Sequence, residues 1–292
     1  MYDIYCMDKI LICQPVGGIN DMLCQIGMCI EYSEKFNRKL IIDTTKSDLN
    51  DHFSHYFETN DLGKNIQIEL SMKQINTFYN DPLFPKDCYL THSEHLYPMS
   101  VPLDRDYKDK FLLHRTWGGG IMSLYALKYF KLQDYLINRI KKRKKSLGTY
   151  HAILIRHTDY NTDYKNALNE IKDMNLQTPL YVFTDSTEVQ EYARTLKFKK
   201  LIVNENIYKG TMNHIPIMHY SRLDPMIHPF EINDEVLMDL FLSSLSEHIY
   251  PTYVTGYQNN NQYADIKFKS GFVNLAIELN NDKKLLNNIL GN

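Results

Sequence analysis

The sequence predicts an α/β protein with two domains, in which strands and helices alternate. Short apolar runs, typical of buried parallel strands, alternate with segments of helical periodicity. This alternation occurs over residues 10–43 and again over residues 153–254. The chain has 292 residues, which is enough for two domains of ordinary size. We expect the boundary at the Ser-Leu-Gly segment of residues 146–148, with a first domain of residues 1–148 and a second of residues 149–292.

The first half begins with a strand–turn–helix–strand unit. Residues 10–13 are predicted to form a buried strand, and the glycine-containing turn of residues 15–18 follows it. A helix begins at Asn20, because apolar residues recur every three or four positions from there. The apolar run of residues 40–42 is the next strand, and this order is typical of a βαβ unit.

The rest of the first half has weaker patterns. Residues 44–115 are polar and aromatic, and prolines interrupt them, so we expect loops and short helices that contribute to an acceptor site. Residues 121–146 are predicted to be helical and end in the basic run of residues 141–145. Cations favour the negative end of a helix dipole, so we interpret this run as a solvated helix end rather than a nucleic-acid patch.

The second half repeats the α/β order. Each predicted strand is a short apolar run, and the predicted helices have helical spacing or a capping residue. The predicted strands are residues 153–155, 180–183, 200–203 and 253–254, and the predicted helices are residues 163–173, 188–196, 235–246 and 271–290, the last as one or two helices.

The composition is that of a globular protein without a strong charge. Hydrophobic residues make up 43% of the chain and charged residues 23%, and the formal net charge is −2. This balance gives no general electrostatic attraction for nucleic acids or acidic membranes. No apolar stretch reaches the roughly 18 residues of a membrane span, and residues 1–9 do not resemble a signal peptide. We therefore expect a soluble, cytoplasmic protein.

The cysteines are not arranged as a disulfide framework or a zinc site. All of them lie in the first third of the chain, their number is odd, and no CxxC pair occurs. We expect reduced and mostly buried thiols. The five residues are Cys6, Cys13, Cys24, Cys29 and Cys88.

The most informative functional pattern follows the first strand of the second half. An apolar run leads directly into Arg156, His157, Thr158 and Asp159. Open α/β sheets bind ligands at the carboxyl ends of their strands, and the planar guanidinium group of arginine suits phosphate. The alternative is a surface loop in which Arg156 and Asp159 pair with each other in solvent.

Three other strand ends carry residue types that suit a ligand. The Gly-Gly-Ile-Asn-Asp segment of residues 17–21 opens a helix, where glycines let a ligand approach the backbone and helical N–H groups favour an anion. The Thr-Asp-Ser segment of residues 184–186 also opens a helix, and residues 255–256 follow the last predicted strand. The alternatives are a plain turn and an ordinary helix cap, and the GxGxxG fingerprint is absent.

His92, Glu94 and His95 suggest a metal site. Their HxxH spacing is not that of the HExxH helix pair. We therefore interpret these histidines as incidental or facing the substrate, and we expect no metal.

In their order and spacing, these motifs resemble those of the fucosyltransferase superfamily: the bacterial nodulation-type and core α1,6 enzymes, the α1,2 enzymes and the protein O-fucosyltransferases. Residues 17–21 are similar to the GGxGxQ or GLGD-type turn of that superfamily, and residues 38–43 to its strand near LxID. Residues 155–159 resemble its HxRRxD-type motif, and residues 183–186 its TDD or SDD turn. Residues 235–244 resemble its helix of the D-x-x-x-L-S kind.

The resemblance implies a GT-B architecture, in which two Rossmann-like domains face a cleft. The first domain would be the acceptor side and the second the nucleotide-sugar donor side. Arg156 falls on the arginine that contacts the donor diphosphate. Three positions depart from the pattern: His157 replaces a second arginine, Leu154 replaces a histidine, and Ser186 replaces the second acid of the DD turn. These departures leave the donor open between GDP-fucose, the first expectation, and a UDP-pentose such as UDP-xylose.

The resemblance further implies inverting transfer to a hydroxyl of a glycan or glycoconjugate, with no cofactor and no required metal. Arg156, with His157 and backbone N–H groups, would stabilise the charge of the leaving diphosphate. Asp21 and Asp159 are both candidates for the base on the acceptor hydroxyl. The expected donor contacts are Gly17, Gly18, Asn20, Arg156, His157, Thr184, Asp185, Ser186, Thr255 and Gly256.

Three alternatives belong to other classes. The departures at Leu154 and Ser186 suggest a nucleotide- or sugar-binding protein of the same fold that has lost transfer activity. The absent GxGxxG argues against a dehydrogenase. Nucleic-acid binding through residues 141–145 would need a second basic surface, which the sequence does not show.

Overall fold

The computed structural model describes residues 9–45, 47–68, 102–116, 118–204, 228–257 and 268–291. The chain divides into two compact units. Unit 1 is Met1–Gln133 together with Asn287–Asn292, and unit 2 is Asp134–Leu286. The helix that the sequence placed at the end of the first domain therefore belongs to unit 2, because it packs on a helix of that unit.

Unit 1 is built around a parallel sheet. Its described strands are β1 (Ile10–Cys13), β2 (Lys39–Ile42), β3 (Phe57–Thr59), β4 (Ile66–Gln67), β5 (Phe111–His114) and β6 (Phe130–Leu132), and its helices are α1 (Ile19–Phe36) and α2 (Ser123–Leu127). The sheet order is β4–β2–β1–β5, and all three pairings are parallel. Strands β3 and β6 form a separate antiparallel pair. Following the chain, β2 and β4 are added on one side of β1, and β5 is added on the other side. The direction in which strands are added therefore reverses, and the reversal point lies between β1 and β5.

Helix α1 forms because its apolar residues recur on one face. Met22, Leu23, Ile26 and Ile30 are buried at 2% exposure or less. The helix ends at Asn37, whose φ of 49° lies in the left-handed region that asparagine tolerates better than most residues. This packing brings the amino terminus of α1 to the carboxyl end of β1.

Unit 2 has a second parallel sheet with the same kind of order. Its described strands are β7 (His151–Ile155), β8 (Tyr160–Thr162), β9 (Leu180–Thr184), β10 (Leu201–Val203), β11 (Ile249–Tyr250) and β12 (Val254–Tyr257). Its helices are α3 (Asp134–Leu147), α4 (Tyr164–Asp173), α5 (Thr187–Thr195), α6 (Pro229–Ser244), α7 (Gly271–Asn281) and α8 (Lys283–Ile289), the last crossing into the terminal segment of unit 1. The sheet order is β10–β9–β7–β11, and every pairing is parallel. It reverses between β7 and β11.

The core of unit 2 lies between its sheet and the helices α4 and α5. Ile153 and Val182 from the sheet pack with Leu168 of α4 and Val189 of α5, and all four are fully buried. Burying such side chains contributes about 1.5–3 kcal/mol each relative to leaving them exposed. This packing holds the carboxyl ends of β7 and β9 in place.

Most elements that the sequence predicts are confirmed. The strands beginning at residues 10, 40, 153, 180 and 200 form, within one or two residues of the predicted bounds. The predicted helices from Asn20 and over residues 163–173, 188–196 and 235–246 form as α1, α4, α5 and α6, and residues 271–290 form two helices. The basic run of residues 141–145 lies in the last turns of α3, as predicted.

Two predictions in the first half are wrong. The continuous helix over residues 121–146 is instead α2, β6 and α3, because residues 130–132 pair with β3. The loops and short helices expected over residues 44–115 include three strands, β3, β4 and β5. These strands have two to four residues, so they are too short to show periodicity, and they form through pairing with distant segments.

The last predicted strand is also displaced. The strand that extends the parallel sheet is β11, which precedes residues 253–254, and β12 pairs antiparallel with β8. Thr255 and Gly256 therefore lie within a strand and do not follow one. Val254 lies opposite Thr162 and Gly256 opposite Asn161, so Thr255 occupies an irregularity of the pairing.

Three of the five cysteines lie among the described residues. Cys13, Cys24 and Cys29 are free and buried, as the sequence predicts, and the other two lie outside the described ranges. Within the described part of the chain, no helix is both long and apolar enough to cross a membrane.

Candidate active site

Arg156 lies immediately after β7, beside the end of β9. Ile155 and Thr184 are the last paired residues of the two strands, so parallel pairing brings the Arg156 and Asp185 loops together. The loop after β11 lies on the other side of β7, where the hydroxyl of Thr252 donates to the carbonyl of Leu154 at 2.5 Å. Arg156 is therefore placed where the strand order of unit 2 reverses, which is the usual ligand position of an open α/β sheet.

Asp159 holds one edge of the Arg156 guanidinium group. Nε of Arg156 donates to Oδ1 of Asp159 and Nη2 to Oδ2, both at 2.9 Å. The two side chains are 27% and 25% exposed, so the pair is partly shielded from water. Burial alone would lower the pKa of Arg156, but the hydrogen bonds to Asp159 and the negative charges of Asp159 and Asp185 outweigh it and raise that pKa. Arg156 is therefore a permanent cation with a defined orientation.

The carboxylate of Asp185 organises the loop that follows β7. Oδ1 accepts the backbone N–H of His157 at 2.7 Å, and Oδ2 accepts the hydroxyl of Thr158 at 2.8 Å. Oδ2 also lies 3.9 Å from Nε of Arg156. Burial raises the pKa of Asp185, although Arg156 and the two hydrogen bonds oppose that shift. The sequence predicts a donor contact here, and the structure adds an internal role as a loop support.

The hydrogen bonds of the His157 imidazole ring define its tautomer. Its Nδ1 accepts the backbone N–H of Thr162 at 3.2 Å, so the neutral ring carries its proton on Nε2. Nε2 lies 3.9 Å from Glu188, whose other oxygen accepts the hydroxyl of Tyr164 at 2.6 Å. Burial lowers the pKa of His157, and the charges of Glu188 and Asp185 only partly oppose this. At neutral pH His157 is therefore an uncharged donor through Nε2.

Ser186 is the N-cap of α5. Its hydroxyl accepts the N–H of Val189 at 3.4 Å, and its own N–H donates to the hydroxyl of Thr184 at 3.2 Å. The ordinary helix cap that the sequence offered as an alternative is thus present. Ser186 stays a predicted donor contact, with its hydroxyl engaged in the cap.

A buried amide that sequence reasoning missed supports the end of β9. Asn204 accepts the N–H of Thr184 at 3.3 Å and donates to the carbonyl of Thr184 at 3.0 Å. It also donates to Asp239 of α6 at 3.1 Å and is only 8% exposed. Burial raises the pKa of Asp239, and the Asn204 hydrogen bond acts against that rise. The position directly after a predicted strand was the only sequence signal for Asn204.

The structure brings the predicted residues of the first domain together at the end of β1. Gly17 has a φ of +106°, in the left-handed region that favours glycine, and its N–H donates to Asp48 at 2.6 Å. Asn20 and Asp21 lie in the first turn of α1, and the amide of Asn20 donates to Oδ1 of Asp21 at 3.5 Å. Gly18 precedes the helix as its N-cap residue.

All of the predicted site residues except Thr255 and Gly256 thus lie in one cluster in each unit. Arg156, His157, Asp159 and the Thr184–Ser186 turn meet at the end of the second sheet. Thr255 is separate from the turn and donates its hydroxyl to the carbonyl of Asn161 at 3.1 Å. The described residues hold no group of three or more His, Cys, Asp and Glu residues that could hold a metal ion, and the His92–His95 motif lies outside them.

Comparisons with known proteins identify the fold. No protein-family model matches the sequence, and no curated protein sequence matches it. The structure of the fucosyltransferase NodZ from Bradyrhizobium is similar, with a TM-score of 0.56, 14% sequence identity and 92% of both chains covered. NodZ α-1,6-fucosyltransferase co-crystallised with GDP gives a TM-score of 0.57 at 13% identity, covering 92% of this chain and 91% of NodZ. A mutant of Arabidopsis thaliana FUT1 in complex with GDP gives a TM-score of 0.50 at 13% identity, covering 85% of this chain and 66% of the FUT1 chain.

These matches confirm the predicted fold class. The chain has the GT-B fold of the fucosyltransferases, and the resemblance that its short motifs carry holds at the level of structure. The 92% coverage means that the likeness extends over both units.

Proposed function

We propose that this chain is a glycosyltransferase, which moves a sugar from a nucleotide-sugar donor to a hydroxyl of a glycan or glycoconjugate. We propose GDP-fucose as the first donor to test and a UDP-pentose such as UDP-xylose as the second. Transfer proceeds with inversion, and no metal is required.

The orientation of Arg156 carries this proposal. A guanidinium group has five N–H donors, and Asp159 engages one on Nε and one on Nη2. Within the described part of the chain, the remaining edge, formed by Nη1 and the second N–H of Nη2, has no hydrogen-bond partner. A fork of this kind suits two oxygens of a diphosphate. Because Asp159 holds the opposite edge, the ligand meets a cation that is already oriented.

The nucleotide part of the proposal draws on the structural neighbours. NodZ has been co-crystallised with GDP and soaked with GDP-fucose. The identity to these neighbours is 14% or less, so the donor is chosen by experiment. Leu154, His157 and Ser186 are the positions at which this chain departs from the donor-binding motifs that the resemblance implies.

The proposed chemistry assigns a separate task to each residue. As the bond between the anomeric carbon and the diphosphate breaks, the leaving oxygen gains charge that Arg156 and the Nε2–H of His157 stabilise. Asp21 takes the proton of the acceptor hydroxyl, whose oxygen forms the new bond to the anomeric carbon. Asp159 is the other candidate base, and both of its oxygens accept hydrogen bonds from Arg156.

One observation favours the alternative of a binding protein without transfer activity. Among the described residues, Arg156 and His157 have three carboxylates near them, those of Asp159, Asp185 and Glu188, while Lys165 adds a second positive charge near His157. A site with this charge balance binds a diphosphate less strongly than one with a second arginine at position 157.

A donor panel tests the proposal. GDP, UDP, CDP, ADP and their common sugar conjugates are added to the full chain, with and without EDTA, and both the melting temperature and donor turnover are measured. A ligand that binds only the native state raises the melting temperature. We expect GDP and GDP-fucose to give the largest rise, insensitive to EDTA, and sugar transfer to follow. A nucleotide that stabilises the chain without any turnover supports the binding-protein alternative, and no shift with any nucleotide contradicts both.

A further inference from the structure

The loop after β5 lies at the point where the strand order of unit 1 reverses. Strands β1 and β5 pair in parallel from Ile10 with Phe111 to Cys13 with His114, so their carboxyl ends share one edge. The loops that follow stay together, because the N–H of Val16 donates to the carbonyl of Thr116 at 2.9 Å. Three consecutive glycines, residues 118–120, follow in the chain, and Gly119 lies nearest this edge, against Asp21. This is the ligand position of an open sheet.

Gly119 lies against the carboxylate of Asp21. A Cβ atom at Gly119 would lie 2.7 Å from Oδ1 of Asp21 and 3.4 Å from Nδ2 of Asn20. On the other side, a Cβ atom at Gly17 would lie 2.9 Å from the Cβ of Asp21 and 3.0 Å from its Oδ2. Asp21 therefore lies between two glycines from two different loops, and a Cβ atom at either position would come within 3.0 Å of its side chain, so something would have to shift.

The glycine loop is anchored rather than loosely placed. Gly118 has a φ of +115°, and its carbonyl accepts the side-chain amide of Gln25 at 2.5 Å. Gln25 is 3% exposed, and its Oε1 lies 2.9 Å from Nε2 of His114 at the end of β5. One buried side chain of α1 thus connects the end of β5 to the loop that covers Asp21.

We propose that Gly119 is a positioning residue for Asp21, and that it sets the direction from which Asp21 receives the proton of the acceptor hydroxyl. The proposal rests on the proposed function, with Asp21 as the base. Gly119 lets the loop backbone approach within contact distance of Oδ1, which restricts the side-chain rotation of Asp21. A base must lie within hydrogen-bond reach of the proton it takes, so a small displacement of this carboxylate slows transfer.

The chain offers a matched control at the next residue. A Cβ atom at Gly120 would lie 4.0 Å from Sγ of Cys24, which is ordinary contact, and neither Gly119 nor Gly120 has a positive φ. We expect Gly119→Ala to lower kcat at least tenfold while leaving the donor-induced rise in melting temperature unchanged. Gly120→Ala should match the wild type in both measurements.

A double-mutant cycle separates positioning from a general structural effect. If Gly119 acts through Asp21, Gly119→Ala causes no further loss of kcat in the Asp21→Asn background. A stability cycle with Asp21→Ala, which removes the obstructing oxygens, tests the contact independently of activity. Gly119→Ala should destabilise the wild type and have little effect on Asp21→Ala.

The outcomes distinguish this inference from the proposed function. Equal kcat in wild type, Gly119→Ala and Gly120→Ala, with turnover present, overturns the inference alone. Fully additive losses in the activity cycle do the same. Absence of turnover in the wild type with every donor overturns both, even if the stability cycle confirms the contact.

Discussion

The clearest test of the site replaces Arg156 in two steps. Arg156→Lys keeps a positive charge but removes the planar fork, and Arg156→Ala removes both. In the proposed complex the guanidinium group donates two charged hydrogen bonds to the diphosphate while Asp159 holds its other edge. A lysine ammonium group has a single point of charge and cannot engage Asp159 and two phosphate oxygens with the same geometry.

The magnitudes follow from this geometry. A hydrogen bond to a charged group contributes about 1.5–3 kcal/mol, so losing one of two in Arg156→Lys should lower kcat/KM roughly 10- to 150-fold. Losing both in Arg156→Ala corresponds to about 3–6 kcal/mol, or roughly 10²- to 10⁴-fold. The side chain is 27% exposed, so solvent screening favours the lower half of each range.

The activity of both variants is measured as the initial rate of donor turnover, and circular dichroism shows whether each variant is folded. Arg194→Ala is a matched control, because Arg194 is an exposed residue near the end of α5. We expect the control to match the wild type and the order of activity to be wild type, Arg156→Lys, Arg156→Ala. If Arg156→Ala retains kcat/KM within about threefold of the wild type, the assignment of Arg156 to the leaving diphosphate is wrong.

Three further predictions concern the base, the packing of α1 and the histidine. Asp21→Asn should lower kcat by about 10²–10⁴-fold with an unchanged donor-induced melting shift, whereas exposed Asp61→Asn, measured in the same assay, should have no effect. Gly27→Ala should lower the free energy of unfolding by about 1–3 kcal/mol in urea titrations, because its Cβ would lie 2.5 Å from the carbonyl oxygen of Met122. Burial lowers the pKa of His157. As the pH falls through about 6.5, the unfolded chain therefore takes up a proton before the folded chain does, and stability decreases. Unfolding of His157→Asn at pH 7.5 and 5.5 should show a smaller loss, and an equal loss in both proteins would exclude His157 as the source.

The two sheets share one topological plan. Taking only the four strands of each sheet in chain order, the first lies inside the sheet, the next two lie on one side of it, and the fourth lies on the other side. The order therefore reverses once in each unit, between β1 and β5 and between β7 and β11. The glycine turn with Asp21 lies at the first reversal and Arg156 at the second, so the predicted residues occupy the ligand position of their own sheet.

Local sequence patterns were enough to predict the strands and the helix that position the site residues. The apolar runs before Gly17 and Arg156 are long enough to be recognised as strands, and the periodicity after Asn20 as a helix. The order of the motifs was enough to predict the GT-B fold, because each motif contains its own strand end and turn. The sequence also offered the pairing of Arg156 with Asp159 as an alternative, since Asp159 lies three positions after Arg156.

Tertiary structure alone decided the features that depend on distant segments. Strand β5 forms by pairing with β1, about a hundred residues earlier, and no local periodicity encodes a parallel partner at that distance. The same pairing brings Gly119 against Asp21. Asn204 joins the end of β9 only because β10 lies beside it. The sequence by itself determined which residue types stand at the strand ends, and the order of strands in each sheet determined which of them meet, because parallel sheets place those ends at one edge.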